Sequence, residues 1–152
     1  MKLMILDFFK LHKFMKNNNF FMATCLLAVW RHGDCKSYSA ITWLSGDGDD
    51  YKTYLFSNNT DGLEVILNIF GDKDIDFEKS TIYITKIPSQ MFLKAAKQKS
   101  VEKVVFIKNI KNYVVADEFF GFAEPFNGSF GKLIDMFSQY ETNLIQKHKY
   151  LL

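Results

Sequence analysis

Residues 80–108, STIYITKIPSQMFLKAAKQKSVEKVVFIK, constrain the fold of this chain more than any other stretch. Residues 81–85 are β-branched and aromatic, as in a buried strand, and residues 104–107 form a second short apolar run. Between them, Pro88 suits the first turn of a helix. The apolar positions at helical spacing in that helix are Met91, Ala95 and Ala96. A strand–helix–strand unit of this length predicts two parallel strands joined by a right-handed crossover.

Length and composition predict one folded domain. The chain has 152 residues, of which 48% are hydrophobic and 16 are phenylalanine, enough to bury a core rather than stay disordered. The net charge is +2, and Arg31 is the single arginine among 19 basic residues. Because base and phosphate recognition relies on arginine forks, direct nucleic-acid binding is not favoured. We interpret the many lysines and asparagines as the mark of an AT-rich genome, with a basic binding patch as the alternative.

The sequence predicts a cytoplasmic protein without a membrane partner. Cys25 and Cys35 are its two cysteines, too few for a disulfide framework and in keeping with a reducing compartment. Asp7 interrupts the apolar stretch at residues 3–9, and no small-residue cleavage site follows, so a signal peptide is not expected. No apolar stretch approaches the length of a membrane span.

Further elements are predicted on both sides of the central unit. They are a short amphipathic helix at residues 3–14, a helix at 19–31, strands at 39–44 and 51–56, a helix at 61–70 and an amphipathic helix at 131–147. The turn sequence GDGDD at residues 46–50 predicts that the two strands form a hairpin. Residues 113–116 are interpreted as strand or loop, and residues 118–131 as mostly irregular or short helix.

Several of these stretches resemble the zinc-dependent cytidine and deoxycytidylate (dCMP) deaminases. TIYIT–KIPSQMF at residues 81–92 is similar to the TLYVT–LEPCxxC segment of that family, and FFMATCLLAVWRHGD at residues 20–34 to its opening helix. GLEVILNIF at residues 62–70 matches a family run such as HAEVNAILN. The resemblance covers residues 19–108. It implies a cytidine-deaminase-like three-layer α/β/α sandwich with a mixed sheet of about five strands, in a deaminase-like domain at residues 19–152 that follows an N-terminal helical extension at 1–18.

The resemblance also implies where the family's zinc chemistry belongs. In these enzymes one His and two Cys hold zinc, and a Glu transfers protons between the zinc-bound water and the base. The three ligand positions match Gly62, Ser89 and Phe92, and the Glu matches Glu64. One neutral hydroxyl cannot hold zinc, so we expect no metal, no cofactor and no hydrolysis, with Glu64 as a vestige. The alternative for Glu64 is an ordinary carboxylate at a helix N-terminus.

A nucleotide-contacting loop is implied at residues 56–60. In the dCMP deaminases a loop reading like GYNGxP follows the second strand, and its Asn touches the nucleotide. The counterpart here is FSNNT, in which Asn58 or Asn59 would keep that role. Because asparagine favours turns for local reasons, a plain turn is the alternative. The zinc-binding insert that many family members carry after this loop is missing.

Three other sites are weighed from the residues. His32 and Cys35 are closely spaced, but no second ligand cluster accompanies them. Asp47, Asp49 and Asp50 lack the distal Glu of a calcium loop, so an acidic turn is expected. Ser89 at a helix start has no nearby His and no G-x-S-x-G motif that would make it a nucleophile.

These observations predict a catalytically inactive dCMP-deaminase-like protein that acts by binding, as a scaffold, structural or regulatory subunit. The resemblance implies an oligomer, either with itself or with another protein, and fits a viral protein, which could be carried in the virion. The aromatic-rich residues 119–130 are the candidate contact surface, with core packing as their alternative. The other hypotheses are a nucleotide sensor without chemistry and an active deaminase with an unrecognised metal site.

Overall fold

The computed structural model describes residues 18–108 and 112–126, which form three α-helices and five strands. In chain order they are α1 (Asn18–His32), β1 (Tyr38–Leu44), β2 (Tyr51–Ser57), α2 (Gly62–Phe70), β3 (Thr81–Ile84), α3 (Gln90–Gln98), β4 (Lys103–Phe106) and β5 (Ala123–Pro125), with a 3-10 turn at Asp117–Phe119. The predicted helices at residues 3–14 and 131–147 lie outside the described residues. The predicted helices and strands between residues 19 and 107 are confirmed, with their ends shifted by up to two residues.

The five strands form one open mixed sheet in the order β2-β1-β3-β4-β5. β1 is antiparallel to both β2 and β3, so the predicted hairpin is confirmed. β3, β4 and β5 run parallel, and Ile82 of β3 pairs with Val104 of β4. The parallel pair on either side of α3 is therefore also confirmed.

The two faces of the sheet are covered by different helices. Because successive strand residues point to opposite faces, Ala40 and Ile41 belong to separate buried clusters. The α1 face packs Phe21, Met22, Cys25 and Val29 against Ala40, Tyr83 and Val105. The opposite face packs the apolar residues of α2 and α3 against Ile41, Ile82, Ile84, Val104 and Phe106. The predicted three-layer α/β/α sandwich is therefore the architecture of the described residues.

A buried polar seam fixes α1 on its face of the sheet. The Thr42 hydroxyl of β1 lies 3.0 Å from the Thr24 hydroxyl of α1 and 2.9 Å from the Thr53 hydroxyl of β2. The Cys25 thiol donates to Thr42 Oγ1 at 3.0 Å. Buried polar groups need partners, so this seam holds only when α1 sits at one position along the sheet.

Side-chain caps set the first residues of α2 and α3. Asp61 Oδ1 accepts from the Leu63 N–H at 3.2 Å, and Ser89 Oγ accepts from the Phe92 N–H at 3.1 Å. Ser89 is thus the N-cap of α3, and Pro88 precedes the cap instead of lying in the first turn as predicted. Met91 was expected on the buried face and is 52% exposed. The buried residues of α3 are Phe92, Leu93 and Ala96.

The fifth strand, Ala123–Pro125, lies within residues 118–131, whose described part is otherwise irregular or 3-10 helix, as predicted. Residues 113–116 form a loop, and the parallel edge strand is β5, whose Ala123 pairs with Val104. A three-residue edge strand that ends in proline leaves almost no periodic signal in the sequence. Phe119 and Phe122 are buried in the core, in agreement with the core-packing interpretation of residues 119–130. Phe120 is 62% exposed. Residues 127–130 lie outside the described residues.

Within residues 18–108 and 112–126, no helix has both the length and the apolar composition needed to cross a membrane.

Candidate functional site

A cavity of about 360 Å³ opens beside the carboxyl end of β3, where α2 and α3 begin. Nine described residues line it: Phe56, Gly62, Val65, Ile84, Lys86, Ile87, Pro88, Ser89 and Phe92. Val65, Ile84 and Phe92 are buried, and Gly62 and Ser89 are exposed. The cavity is therefore mainly apolar, and the two helix starts lie at its exposed side. Its size falls at the small end of the range for small-molecule sites, roughly 300–1,000 Å³.

The three positions that the resemblance assigns to zinc ligands, Gly62, Ser89 and Phe92, all line this cavity. A Cβ added at Gly62 would meet no atom within 4 Å, so the space for a side chain there is open. The Ser89 side chain caps the N-terminus of α3 by accepting a hydrogen bond from the Phe92 N–H. The Phe92 ring is 4% exposed and packs against the Phe70 ring, with centroids 5.3 Å apart. Among the nine lining residues none carries an imidazole, thiol or carboxylate group.

Lys86 is a cavity residue that the sequence analysis missed. It follows β3 by two residues and is half-buried, and its Nζ lies 5.1 Å from the centroid of the Phe56 ring. Burial lowers the pKa of the Lys86 ammonium group. Among the described residues no carboxylate forms an ion pair with it. A single lysine after a strand gives no signal in a sequence, because its exposure depends on packing by distant residues.

Glu64 is placed apart from the other three resemblance positions. It lies in the first turn of α2, its side chain is exposed, and it is not among the residues that line the cavity. A carboxylate in this position interacts favourably with the positive end of the helix dipole. Its position therefore agrees with the alternative interpretation, that of an ordinary helix N-terminal carboxylate.

Asn58 and Asn59 also lie outside the cavity lining. The Asn58 amide nitrogen donates to the Lys36 carbonyl oxygen at 2.8 Å, and its carbonyl oxygen accepts from the Ser39 hydroxyl. These bonds connect the residue that follows β2 to Ser39 of β1 and to the segment before β1. Asn59 is exposed, and its backbone N–H donates to Ser57 Oγ at 3.2 Å. The hydrogen bonds of Asn58 are those of a structural residue, and Asn59 is a turn residue.

The residues considered for an alternative metal site are not brought together. Over the described ranges, no group of three His, Cys, Asp or Glu side chains is placed to hold a metal ion. His32 and Cys35 are both exposed near the end of α1, and the His32 ring contacts Tyr38. Cys25 is buried, and burial raises the pKa of its thiol to about 12. Cys25 is therefore a structural side chain of the polar seam.

An acidic groove of about 440 Å³ lies at another edge of the described fold. Its lining includes the five carboxylate residues Asp47, Asp50, Asp74, Asp76 and Glu78. Asp47 Oδ1 accepts from the Ser45 hydroxyl at 2.6 Å and from the Asp49 N–H at 3.0 Å, so this side chain closes the hairpin turn. These bonds are those of the acidic turn expected in place of a calcium loop.

Comparison of the sequence with models of known protein families gave no match, and comparison with curated proteins found none with significant similarity.

Proposed function

We propose that this protein is a hydrolytically inactive relative of the cytidine and dCMP deaminases that acts by binding. The observation that carries the proposal is the convergence of Gly62, Ser89 and Phe92 on one cavity. The resemblance assigns these positions from sequence alone, and they lie at the starts of two helices that are separated by β3 along the chain. Because all three line the same cavity, the resemblance is supported by the position of the site as well as by the sequence.

The chemistry of the cavity supports the loss of hydrolysis. A catalytic zinc site uses three protein ligands and leaves one position for water. Gly62 and Phe92 have no ligand atom, and Ser89 Oγ already accepts a hydrogen bond from the Phe92 N–H. The Phe92 ring is buried and lines the cavity at the third ligand position. No step of a deamination can be assigned to these side chains.

The fold supports a role in assembly. In the family that the sequence resembles, helices pack across the faces shared between subunits. In the described structure Leu63 and Leu67 of α2 and Met91 of α3 are 49%, 63% and 52% exposed. Contiguous exposed apolar patches are typical of protein-binding surfaces, and these three side chains are candidates for one. We therefore propose that the protein binds itself or another protein through its helical layers.

Zinc content and dCMP turnover, measured on one sample of the full chain without a His tag, test the proposal. We expect no stoichiometric zinc by elemental analysis and no release of deoxyuridylate. About one zinc per chain together with turnover would overturn the proposal in favour of an active deaminase with an unrecognised metal site. The sample's oligomeric state, measured by sedimentation, tests the assembly role separately.

A small-molecule sensor is the second candidate function. It is favoured by the presence of a cavity of ligand size that contains a half-buried lysine. A ligand that binds only the folded state raises the apparent stability of the protein. Thermal unfolding with and without dCMP, dCTP and dTTP therefore distinguishes a nucleotide sensor from a pure scaffold.

A further inference from the structure

We infer that the cavity binds a small apolar monocarboxylate, with Lys86 as the counter-ion of its carboxylate group. The inference deepens the proposed function, because it rests on this cavity being a binding site without hydrolytic chemistry. It assigns a ligand class that the resemblance to the deaminases does not imply. Three features of the cavity support it: the Lys86 ammonium group, the two helix starts and the apolar lining.

The cation lacks a charged partner within the described part of the chain. Lys86 lines the cavity, and its Nζ lies over the face of the Phe56 ring, 5.1 Å from the ring centroid. An aromatic face attracts an ammonium group but does not neutralise it. The described ion pairs join Lys52 to Asp72 and Lys103 to Glu124, so neither of them uses Lys86. A half-buried ammonium group beside an open space favours an anion in that space.

The helix starts add to this preference for an anion. α2 and α3 have nine residues each, and both begin at residues that line the cavity or adjoin the lining. The N-terminus of a helix carries partial positive charge and N–H groups without helical acceptors. Ser89 Oγ accepts from the Phe92 N–H, and its hydroxyl group keeps one proton to donate. Lys86 and Ser89 are therefore two hydrogen-bond donors that line the same cavity.

The apolar lining of the cavity favours a ligand whose body, apart from its carboxylate, is apolar. Apart from Lys86 and Ser89, the cavity is bordered by aromatic, aliphatic and proline side chains and by Gly62. The sugar hydroxyls and base of a nucleotide would have few partners against Val65, Ile84 and Ile87, and unpaired polar groups are costly to bury. A phosphate dianion would also exceed the charge of the single ammonium group. A carboxylate on an aryl or short alkyl body matches both the charge and the surface.

Titration of the full-length protein with benzoate and hexanoate tests the inference, with benzamide and hexanamide as neutral controls of similar shape. We expect each acid to raise the melting temperature in a concentration-dependent way, and to bind more tightly than its amide by isothermal titration calorimetry. Loss of a hydrogen bond to a charged group corresponds to roughly a tenfold to hundredfold loss of affinity. Lys86→Met, which keeps an apolar stem, should show that loss, and Lys86→Arg should retain most of the binding.

Lys94→Met is the matched control, because Lys94 is exposed on α3 and is not among the cavity-lining residues. It should bind the acids as the wild type does, and circular dichroism checks that each variant is folded. The inference is overturned if neither acid binds, if the amides bind as well as the acids, or if Lys86→Met binds unchanged. It is also overturned if inorganic phosphate or dCMP binds more tightly than either acid. The zinc and turnover measurements are independent of all these outcomes, so failure here leaves the proposed function in place.

Discussion

Phe92 of α3 packs its ring against Phe70 of α2 at a centroid distance of 5.3 Å, with the ring planes inclined by 45°. This contact joins the two helices beside the cavity and places a core side chain at a position that the deaminase resemblance assigns to a metal ligand. The same ring therefore belongs to the core and stands where the resemblance would place a metal ligand.

The first prediction concerns that contact. Phe92→Ala should lower the free energy of unfolding by about 3–5 kcal/mol, because it removes a buried aromatic ring and leaves a cavity. Urea unfolding followed by circular dichroism measures the change. The neighbouring variant Met91→Ala is the control and should change stability far less, since Met91 is 52% exposed. Equal effects of the two substitutions would show that Phe92 is not a core residue.

The second prediction tests the relationship to the deaminases. The triple variant Gly62→His/Ser89→Cys/Phe92→Cys should gain about one zinc per chain, since it supplies the three ligands of a catalytic site. Open space around a Cβ at residue 62 makes the His acceptable to the fold. Elemental analysis measures the zinc, and the melting temperature should rise with added zinc.

Two controls belong to this experiment. Ser89→Cys/Phe92→Cys lacks the third ligand, and Leu63→His in place of Gly62→His moves the imidazole by one residue along α2. Both controls should bind zinc more weakly than Gly62→His/Ser89→Cys/Phe92→Cys. If all three variants are folded and bind zinc equally, the matching of Gly62 to the family's His position is wrong.

The third prediction separates two roles for the asparagines. Asn58→Ala should destabilise the protein by roughly 1–3 kcal/mol, because the buried Ser39 hydroxyl and the Lys36 carbonyl lose their partner. Asn59→Ala should be close to neutral, as expected for an exposed turn residue. Chemical denaturation measures both variants. A stable Asn58→Ala variant that loses affinity for dCMP would instead assign Asn58 to a nucleotide site.

The fourth prediction is a pH dependence at Asp72. Hydrogen bonds from Lys52 Nζ and the Tyr54 hydroxyl, both 2.7 Å, are the main causes that lower the pKa of Asp72 to about 2 from its ordinary 3.8. The folded state thus favours the ionised carboxylate. Its contribution to stability should be complete above pH 3.8 and should disappear as the pH falls towards 2.

Unfolding of the wild type and of Asp72→Asn across the acidic range measures this dependence. The stability difference between the two proteins should stay constant near neutral pH and shrink as the solution is acidified. A difference that is independent of pH would mean that the charge of Asp72 does not contribute to the fold.

The fifth prediction concerns the two thiols. Burial raises the pKa of Cys25 to about 12, whereas Cys35 is exposed. A thiolate is the reactive species, so only Cys35 should react quickly with a disulfide reagent in the native state. Reaction of Cys25 should require unfolding. Cys35→Ser should abolish the fast phase, and a fast phase that persists in this variant would show that Cys25 is accessible.

The sequence allowed the central part of the fold to be predicted because local patterns and tertiary packing agree there. The β-branched run at residues 81–85 and the turn sequence at residues 46–50 correspond to β3 and to the β1–β2 hairpin. The position of β5 was not predicted, because this short edge strand is stabilised by pairing with β4, which is distant in the sequence. The wrong assignment of Met91 to the buried face arose because Ala95 and Ala96 define that face only loosely, so Phe92 was not recognised as its largest member.

The candidate site was predictable only in part. Its three resemblance positions could be read from two local motifs, and each motif lies at the start of a helix. Lys86 could not be found in this way, because its partial burial and its position over Phe56 depend on β2 and β3 lying on either side of β1 in the sheet. The roles of Asn58 and Glu64 likewise depend on which side chains lie across the loop and which face of α2 is covered.

The two edges of the sheet differ, and both are poor templates for polymerisation. Among the described residues β5 and β2 are the outer strands. β5 spans three residues and ends at Pro125, which has no N–H to offer to a further strand. β2 is longer but begins with Tyr51 and Lys52, and a lysine at a sheet edge opposes strand-to-strand aggregation. Growth by addition of strands is thus discouraged at both ends of the described sheet, and the assembly that we propose would use the helical layers instead.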